Sequence, residues 1–331
     1  MNQKLLYCVL LIGCICSVTA FSGEVTSFVH EKTAGKDQLP VYDKGESVSG
    51  SLLSVGSDTL AGVMSLWVEA FHTYYPNVNA QVQASGSSTA PPALIQGTAQ
   101  FGPMSRAMRK SEIESFEQAY GYKPTELRVA IDAIGLFVQK DNPVRGLNFE
   151  QIDAIFSATL RCGALRRIET WSQLGIKSRW ARRAIQLFGR NSVSGTYGYF
   201  KSHALCGGDF NAQVNEQPGS ASVVQSVASS INAIGYSGAG YSVSGVKRIP
   251  VARTGNHYIY PTRQNILSGQ YPLSRFLYMY VNKSPSRPLS PVEQAFIRFI
   301  FSRQGQLLVA KDGYIPVSAE IAKRELAKVG L

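Results

Sequence analysis

Acidic side chains are in short supply in this chain: 22 Asp and Glu face 33 Lys and Arg, a formal net charge of +11 at pH 7. Histidine is rarer still. His30, His72, His203 and His257 are scattered and form no ligand pair. The clusters of Asp, Glu and His that a metal-dependent phosphatase needs are missing. So is the Gly-x-Ser-x-Gly elbow of a serine hydrolase. These gaps argue against an enzyme and against a metal or other cofactor. The basic balance could suggest nucleic acid, but no stripe of interleaved basic and aromatic residues supports such a partner. There is no internal repeat and no low-complexity tract. The apolar run Leu5–Ile15 is too brief to span a membrane.

That run, preceded by Lys4 and followed by Val18-Thr19-Ala20, reads as a signal peptide over residues 1–20, cleaved after Ala20 for delivery to the periplasm. Its loss takes Lys4 with it and leaves +10. A second reading is lipid anchoring through Cys14, since Leu11-Ile12-Gly13-Cys14 matches a lipoprotein cleavage box. In both readings the mature chain is exported. Cleavage after Ala20 also discards Cys8, Cys14 and Cys16, leaving Cys162 and Cys206. In an oxidising compartment an even pair favours a disulfide; two buried free thiols are the alternative. Residues 21–46 are polar and aperiodic, a flexible leader.

From residue 47 the pattern alternates strand and helix. Leu52–Val55 is a short buried strand, and Leu60, Val63, Trp67, Phe71 and Tyr74 recur at helical spacing. Residues 78–84 alternate apolar and polar as a strand does. Further strands are expected at 129–138, 184–188 and 271–281, with helices at 197–205, 223–230 and 291–310. The long strands at 129–138 and 271–281 are natural crossings between two lobes. The expectation is therefore an α/β chain with mostly parallel sheets flanked by helices. Lobe 1 comprises residues 47–134 and 274–331, and lobe 2 residues 135–273. Arg161, Arg166, Arg167, Arg179, Arg182 and Arg183 fall within the second lobe and read as a solvated basic face.

Three turns carry the chemistry. Ser57-Asp58-Thr59 and Ser85-Gly86-Ser87-Ser88-Thr89 each follow a strand and open a helix. The third, Gly189 to Tyr197, places Arg190 just before Ser194-Gly195-Thr196. A strand that ends in such a turn aims unpaired backbone N–H groups at one point, and the helix behind adds partial positive charge. A Ser or Thr before a helix is ordinarily only a cap. Three in one two-lobed chain, joined by an arginine, point to a site for a tetrahedral oxyanion.

Gly56-Ser57-Asp58-Thr59-Leu60, Gly86-Ser87-Ser88, Phe101-Gly102-Pro103-Met104-Ser105-Arg106 and Arg190 through Thr196 resemble, in order and separation, the motif set of the phosphate-binding proteins of Pst-type ABC transporters. Ile155-Phe156-Ser157, Trp171 to Gly175 and Ile234-Gly235-Tyr236 extend the resemblance over about residues 48–320. It implies a two-lobed type II periplasmic-binding-protein fold with a two-strand hinge. It also implies a monomer that binds inorganic phosphate and delivers it to permease subunits. By position, Thr59, the N–H of Leu60 and Ser87 would bind from one lobe, with Arg190, Ser194, Gly195 and Thr196 on the other. Two departures stand out. Arg106 occupies a place where many members of the family have an aspartate acceptor, which makes Arg106 a second phosphate-binding arginine by expectation and leaves Asp58 as the candidate acceptor in the binding set. No acid lies between Arg190 and Ser194 to tether the arginine. A more cationic site is expected, with selection of phosphate over sulfate left open. The alternatives are a receptor for another oxyanion such as sulfate or molybdate, a secreted phosphatase, and a surface adhesion or sensing protein.

Overall fold

The computed structural model describes residues 38–177 and 179–331. The predicted signal peptide and most of the leader lie outside them. The leader's last residues are not free, however. Tyr42 is buried and sets its ring edge-on against Tyr74 and Phe299, so packing begins before the first strand.

The chain runs β1 (Gly50–Val55), α1 (Ala61–Tyr74), β2 (Val78–Gln83), α2 (Ala90–Ile95), β3 (Phe101–Met104), α3 (Lys110–Tyr120) and β4 (Thr125–Gln139). There follow β5 (Leu147–Asn148), α4 (Phe149–Phe156), β6 (Gln186–Arg190), α5 (Gly195–Ala204), β7 (Val214–Gln217), α6 (Ser220–Ser229), β8 (Ala233–Gly238), β9 (Val246–Ile249) and β10 (Val251–Ala252). The chain ends with α7 (Arg263–Leu267), β11 (Ser274–Val281), α8 (Pro291–Ile300), α9 (Arg303–Lys311) and α10 (Ala319–Ala327). The strand order is β2-β1-β3-β11-β4-β8-β6-β7, with β9 also on β4. This is the expected α/β class.

β4 joins the two halves. Thr125 to Ala133 pair antiparallel with β11, whereas Ile134 to Gln139 pair with β8 and β9. One strand therefore changes partners between Ala133 and Ile134. Each half has its own apolar core. In the first, α1 buries Val63, Met64, Trp67 and Phe71 on the stripe its spacing predicts. Trp67 donates its indole N–H to Gly305 O at 2.8 Å, which satisfies the ring's polar atom inside the core. In the second, Phe200 and Tyr236 stack at 3.9 Å, with Phe156 edge-on to both.

Several boundaries differ from the sequence expectation. The helix expected over 291–310 is two helices, because Ser302 caps α9 by accepting from Gly305 N at 3.1 Å. Gly305 lies so close to Phe299 O that a Cβ there would sit 2.1 Å from it. The long strand expected from Tyr271 begins only at Ser274. Tyr271 instead turns inward, and its hydroxyl donates to Ile134 O at 2.7 Å. β6 is shifted to Gln186–Arg190, and the helix expected at 223–230 starts earlier, at Ser220. Cys162 and Cys206 are joined by a disulfide, which ties the arginine-rich segment to the end of α5.

Candidate functional site

The turns after β1, β2 and β3 are laced together by backbone bonds. Ser57 N donates to Pro103 O at 2.8 Å, and Gly86 N to Gly56 O at 2.8 Å. Residue 56 must be glycine, because a Cβ would lie 2.2 Å from Pro103 O. Gly86, at φ +105°, turns the chain so that Ser87 points inward. Ser87 Oγ then accepts from Ser105 N at 3.0 Å. Thr59 is fully buried at the start of α1's lead-in turn, its carbonyl accepting from the Tyr314 hydroxyl. Leu60 sends its side chain into the first core, which leaves only its backbone for a ligand.

From the second half, β6 delivers Arg190 and α5 begins at Gly195. Ser194 is the N-cap, its hydroxyl accepting from Thr196 N at 3.2 Å. The two halves meet face to face. Ser88 N donates to Val193 O at 3.1 Å, and the hydroxyls of Thr59 and Thr196 are 3.1 Å apart. Gly195 fits beneath Ser87 and Ser105 with no room to spare: a Cβ there would stand 2.3 Å and 2.5 Å from their hydroxyl oxygens. The structure thus gathers Asp58, Thr59, Ser87, Arg190, Ser194, Gly195 and Thr196 in one buried place.

Three arginines stand in or beside this place, and each has its own carboxylate. Arg190, fully buried, lies 2.5 Å from Asp58 Oδ2. It also donates to Pro218 O at 2.8 Å, Gln217 O at 3.3 Å and Ser220 Oγ at 3.2 Å. Its backbone N–H donates to the Tyr236 hydroxyl, which seats the strand end on the ring stack. The tether sought within 191–193 therefore comes from Asp58, across the cleft. Arg106 is bound in bidentate fashion by Glu112, at 2.6 and 2.7 Å, and reaches Ser88 Oγ at 3.3 Å. It is an ion-paired residue at the site's edge, and the expected surplus of positive charge is cancelled. Burial opposes the Glu112 charge, but the bonds from Arg106 and the Arg109 backbone hold its carboxyl below the usual range.

The third pair went unmarked in the sequence. Asp132 of β4 and Arg275 of β11 are opposite one another in register. Arg275 donates to Asp132 Oδ2 through Nε at 3.0 Å and Nη2 at 2.7 Å. It also donates to Ser105 O at 2.9 Å and Thr196 Oγ1 at 3.0 Å. A lone carboxylate in the otherwise uncharged and apolar run 129–138 was the available signal. Burial raises both Asp58 and Asp132 above the ordinary aspartate value, against the pull of Arg190 and Arg275 respectively. Asp58 Oδ1 is buried with no hydrogen-bond partner. Hydroxyls, helix-start N–H groups and one acceptor-only carboxylate at a common point suit a small oxyanion that still carries a proton. No group of three His, Cys, Asp or Glu able to hold a metal occurs among the described residues.

Residues 43–304 match the model of a PBP superfamily domain. The phosphate-binding protein PstS of Pseudomonas aeruginosa is 57% identical over 294 residues, 88% of this chain and 91% of that protein. The chain belongs to the PstS family. In three dimensions it resembles a Clostridium perfringens protein assigned to phosphate ABC transporters as a substrate-binding protein and solved with bound phosphate. The TM-score is 0.68 and the identity 28%, covering 81% of this chain and 100% of that one. An ABC-type phosphate transport receptor from Vibrio cholerae shares the fold, with a TM-score of 0.63 over 80% of this chain and 100% of the receptor, at 24% identity. The PstS-family chain described here thus has the type II periplasmic-binding-protein fold that the resemblance implied.

Proposed function

We propose that this protein is an exported receptor that captures inorganic phosphate in the cleft and delivers it to ABC transporter permease subunits. The binding set is Asp58, Thr59, the Leu60 N–H and Ser87 on one side, with Arg190, Ser194, Gly195 and Thr196 on the other. Arg106 supports Ser88 from the edge. The lobes that close are residues 47–134 with 274–331, and residues 135–273. The protein works as a monomer, without a cofactor. Residues 1–20 direct export to the periplasm and Ala20 precedes the cut; a lipid anchor on Cys14 would instead tether the protein. Binding and transport are what the relatives are named for, which fits a carrier and not a phosphatase.

The observation that carries this reading is the unpartnered Asp58 Oδ1 among buried hydroxyls. Near neutral pH phosphate keeps at least one proton and can donate it to that oxygen, whereas sulfate has none to give. An acceptor facing an acceptor without water costs about 1–3 kcal/mol, and more with charge. That is roughly five- to 150-fold in affinity. The other oxyanions considered from sequence, sulfate and molybdate, are disfavoured on the same ground. Calorimetry with phosphate and sulfate in parallel tests the reading, with phosphate expected to bind at least tenfold tighter. Equal affinities would sink phosphate selectivity, and no heat from either anion would sink the receptor reading. Asp58→Asn supplies an amide donor and should bring the two affinities together.

A further inference from the structure

We propose that Arg275 is a positioning residue for phosphate capture, holding the Thr196 hydroxyl as a donor and fastening the hinge to both jaws. This rests on the phosphate reading above and adds a residue that contacts the binding set rather than the anion. Its place in the fold is the first argument. Asp132 is the next-to-last residue of β4 to pair with β11 before β4 changes partners, and Arg275 is its cross-strand partner. The pair therefore sits where one half-sheet gives way to the other. From there Arg275 donates to Ser105 O at the end of β3 and to Thr196 Oγ1 at the start of α5, which spans the two halves with one side chain.

The donors of Arg275 are also almost fully used. A guanidinium has five N–H donors. Nε and both donors of Nη2 are occupied by Asp132 and Thr196, and Nη1 serves Ser105 O. Little of the cation is left to meet a ligand directly. Its effect passes through Thr196. A hydroxyl that accepts from Arg275 must turn its own proton elsewhere, and Thr59 Oγ1, 3.1 Å away, lies on the side of the binding set. An anion oxygen entering there would meet a donor already aimed. The charge of Arg275 is balanced by Asp132, and the two side chains are 1% and 2% exposed, so removing either partner alone would leave a buried uncompensated charge.

The test uses Arg275→Lys, which keeps the charge and loses the fork, in the full exported chain. Phosphate affinity and dissociation rate are measured by calorimetry and stopped flow, with the melting temperature recorded without ligand. Affinity should fall at least tenfold, mainly through faster dissociation, while the ligand-free melting temperature moves little. Thr196→Val is then combined with Arg275→Lys. Because Arg275 acts through Thr196, the double variant should bind no more weakly than Thr196→Val alone. Wild-type affinity and dissociation rate in Arg275→Lys would overturn the proposal, as would fully additive losses in the double variant. Should the lysine variant not fold, the charge-free pair Asp132→Asn with Arg275→Gln takes its place in the same measurements, with the same results expected and the same results overturning the proposal. Wild-type protein that binds no phosphate would defeat the phosphate reading first, and this proposal with it.

Discussion

Gly195→Ala separates closure of the cleft from stability of the fold. Residue 195 is the first residue of α5, where alanine is the better helix former by up to about 1 kcal/mol in a helix interior and less at an end. The three nearest atoms to the added methyl group all belong to the opposite side of the cleft. Across the cleft it would stand 2.3 Å from Ser87 Oγ and 2.5 Å from Ser105 Oγ, well inside contact distance. Ser87 cannot swing clear freely, because its Oγ accepts from the Ser105 backbone N–H, and the Ser105 hydroxyl lies 3.3 Å from it. Inserting a methyl group into packed surroundings costs about 1–3 kcal/mol, here charged only to the closed form. Phosphate affinity should therefore drop roughly five- to 150-fold, while the ligand-free melting temperature stays level or rises. Calorimetry and differential scanning on one preparation read both. Unchanged affinity would refute the close approach of α5 to Ser87, and a matching loss of ligand-free stability would refute the assignment of the clash to closure.

Two further outcomes follow from groups outside the binding set. Asp312 lies against the first turn of α1 and accepts from the Val63 backbone, but burial dominates and raises its carboxyl from 3.8 to about 6. The folded state thus holds this proton more tightly than the unfolded chain. Its contribution is complete below about pH 3.8 and is lost as pH rises through about 6. Asp312→Asn should gain melting temperature relative to wild type between pH 5 and pH 7.5, and a gap constant with pH would contradict this. Replacing Cys162 and Cys206 by serine opens a loop of 44 residues, with a chain-entropy cost of about 4 kcal/mol. Denaturant unfolding should show that loss with phosphate affinity nearly unchanged, since the bridge lies at the far end of α5 from Gly195; a large affinity loss would tie the bridge to the cleft.

What the sequence made legible and what it hid differ in range. The three turns were readable because glycine and serine punctuate them locally, and α1 because its apolar stripe repeats along one element. The partners of the arginines were not readable. Arg190 meets its acid 132 positions upstream, and Arg275 lies 143 positions from Asp132, distances over which no local pattern constrains pairing. Arg106 misled for the opposite reason, since Glu112, only six residues on, neutralises it from the first turn of α3. The break between α8 and α9 was obscured because Phe299, Ile300 and Phe301 sustain the apolar pattern up to the capping Ser302.

The change of partners along β4 also sets an order of assembly. The other strands of the second half-sheet lie between β4 and β11 in the chain, so that half-sheet is contiguous from residue 134 to residue 249. The first half-sheet begins earlier but lacks β11, which separates β3 from β4, until residue 281 has emerged. Trp67 likewise waits for Gly305. For a chain threaded N-terminus first across a membrane, the half that starts first is completed last, after every strand of its neighbour has emerged. The second half of β4 is then paired on both sides, by β8 and β9, while its first half still waits, and the arrival of β11 both closes the sheet and brings Arg275 to Asp132.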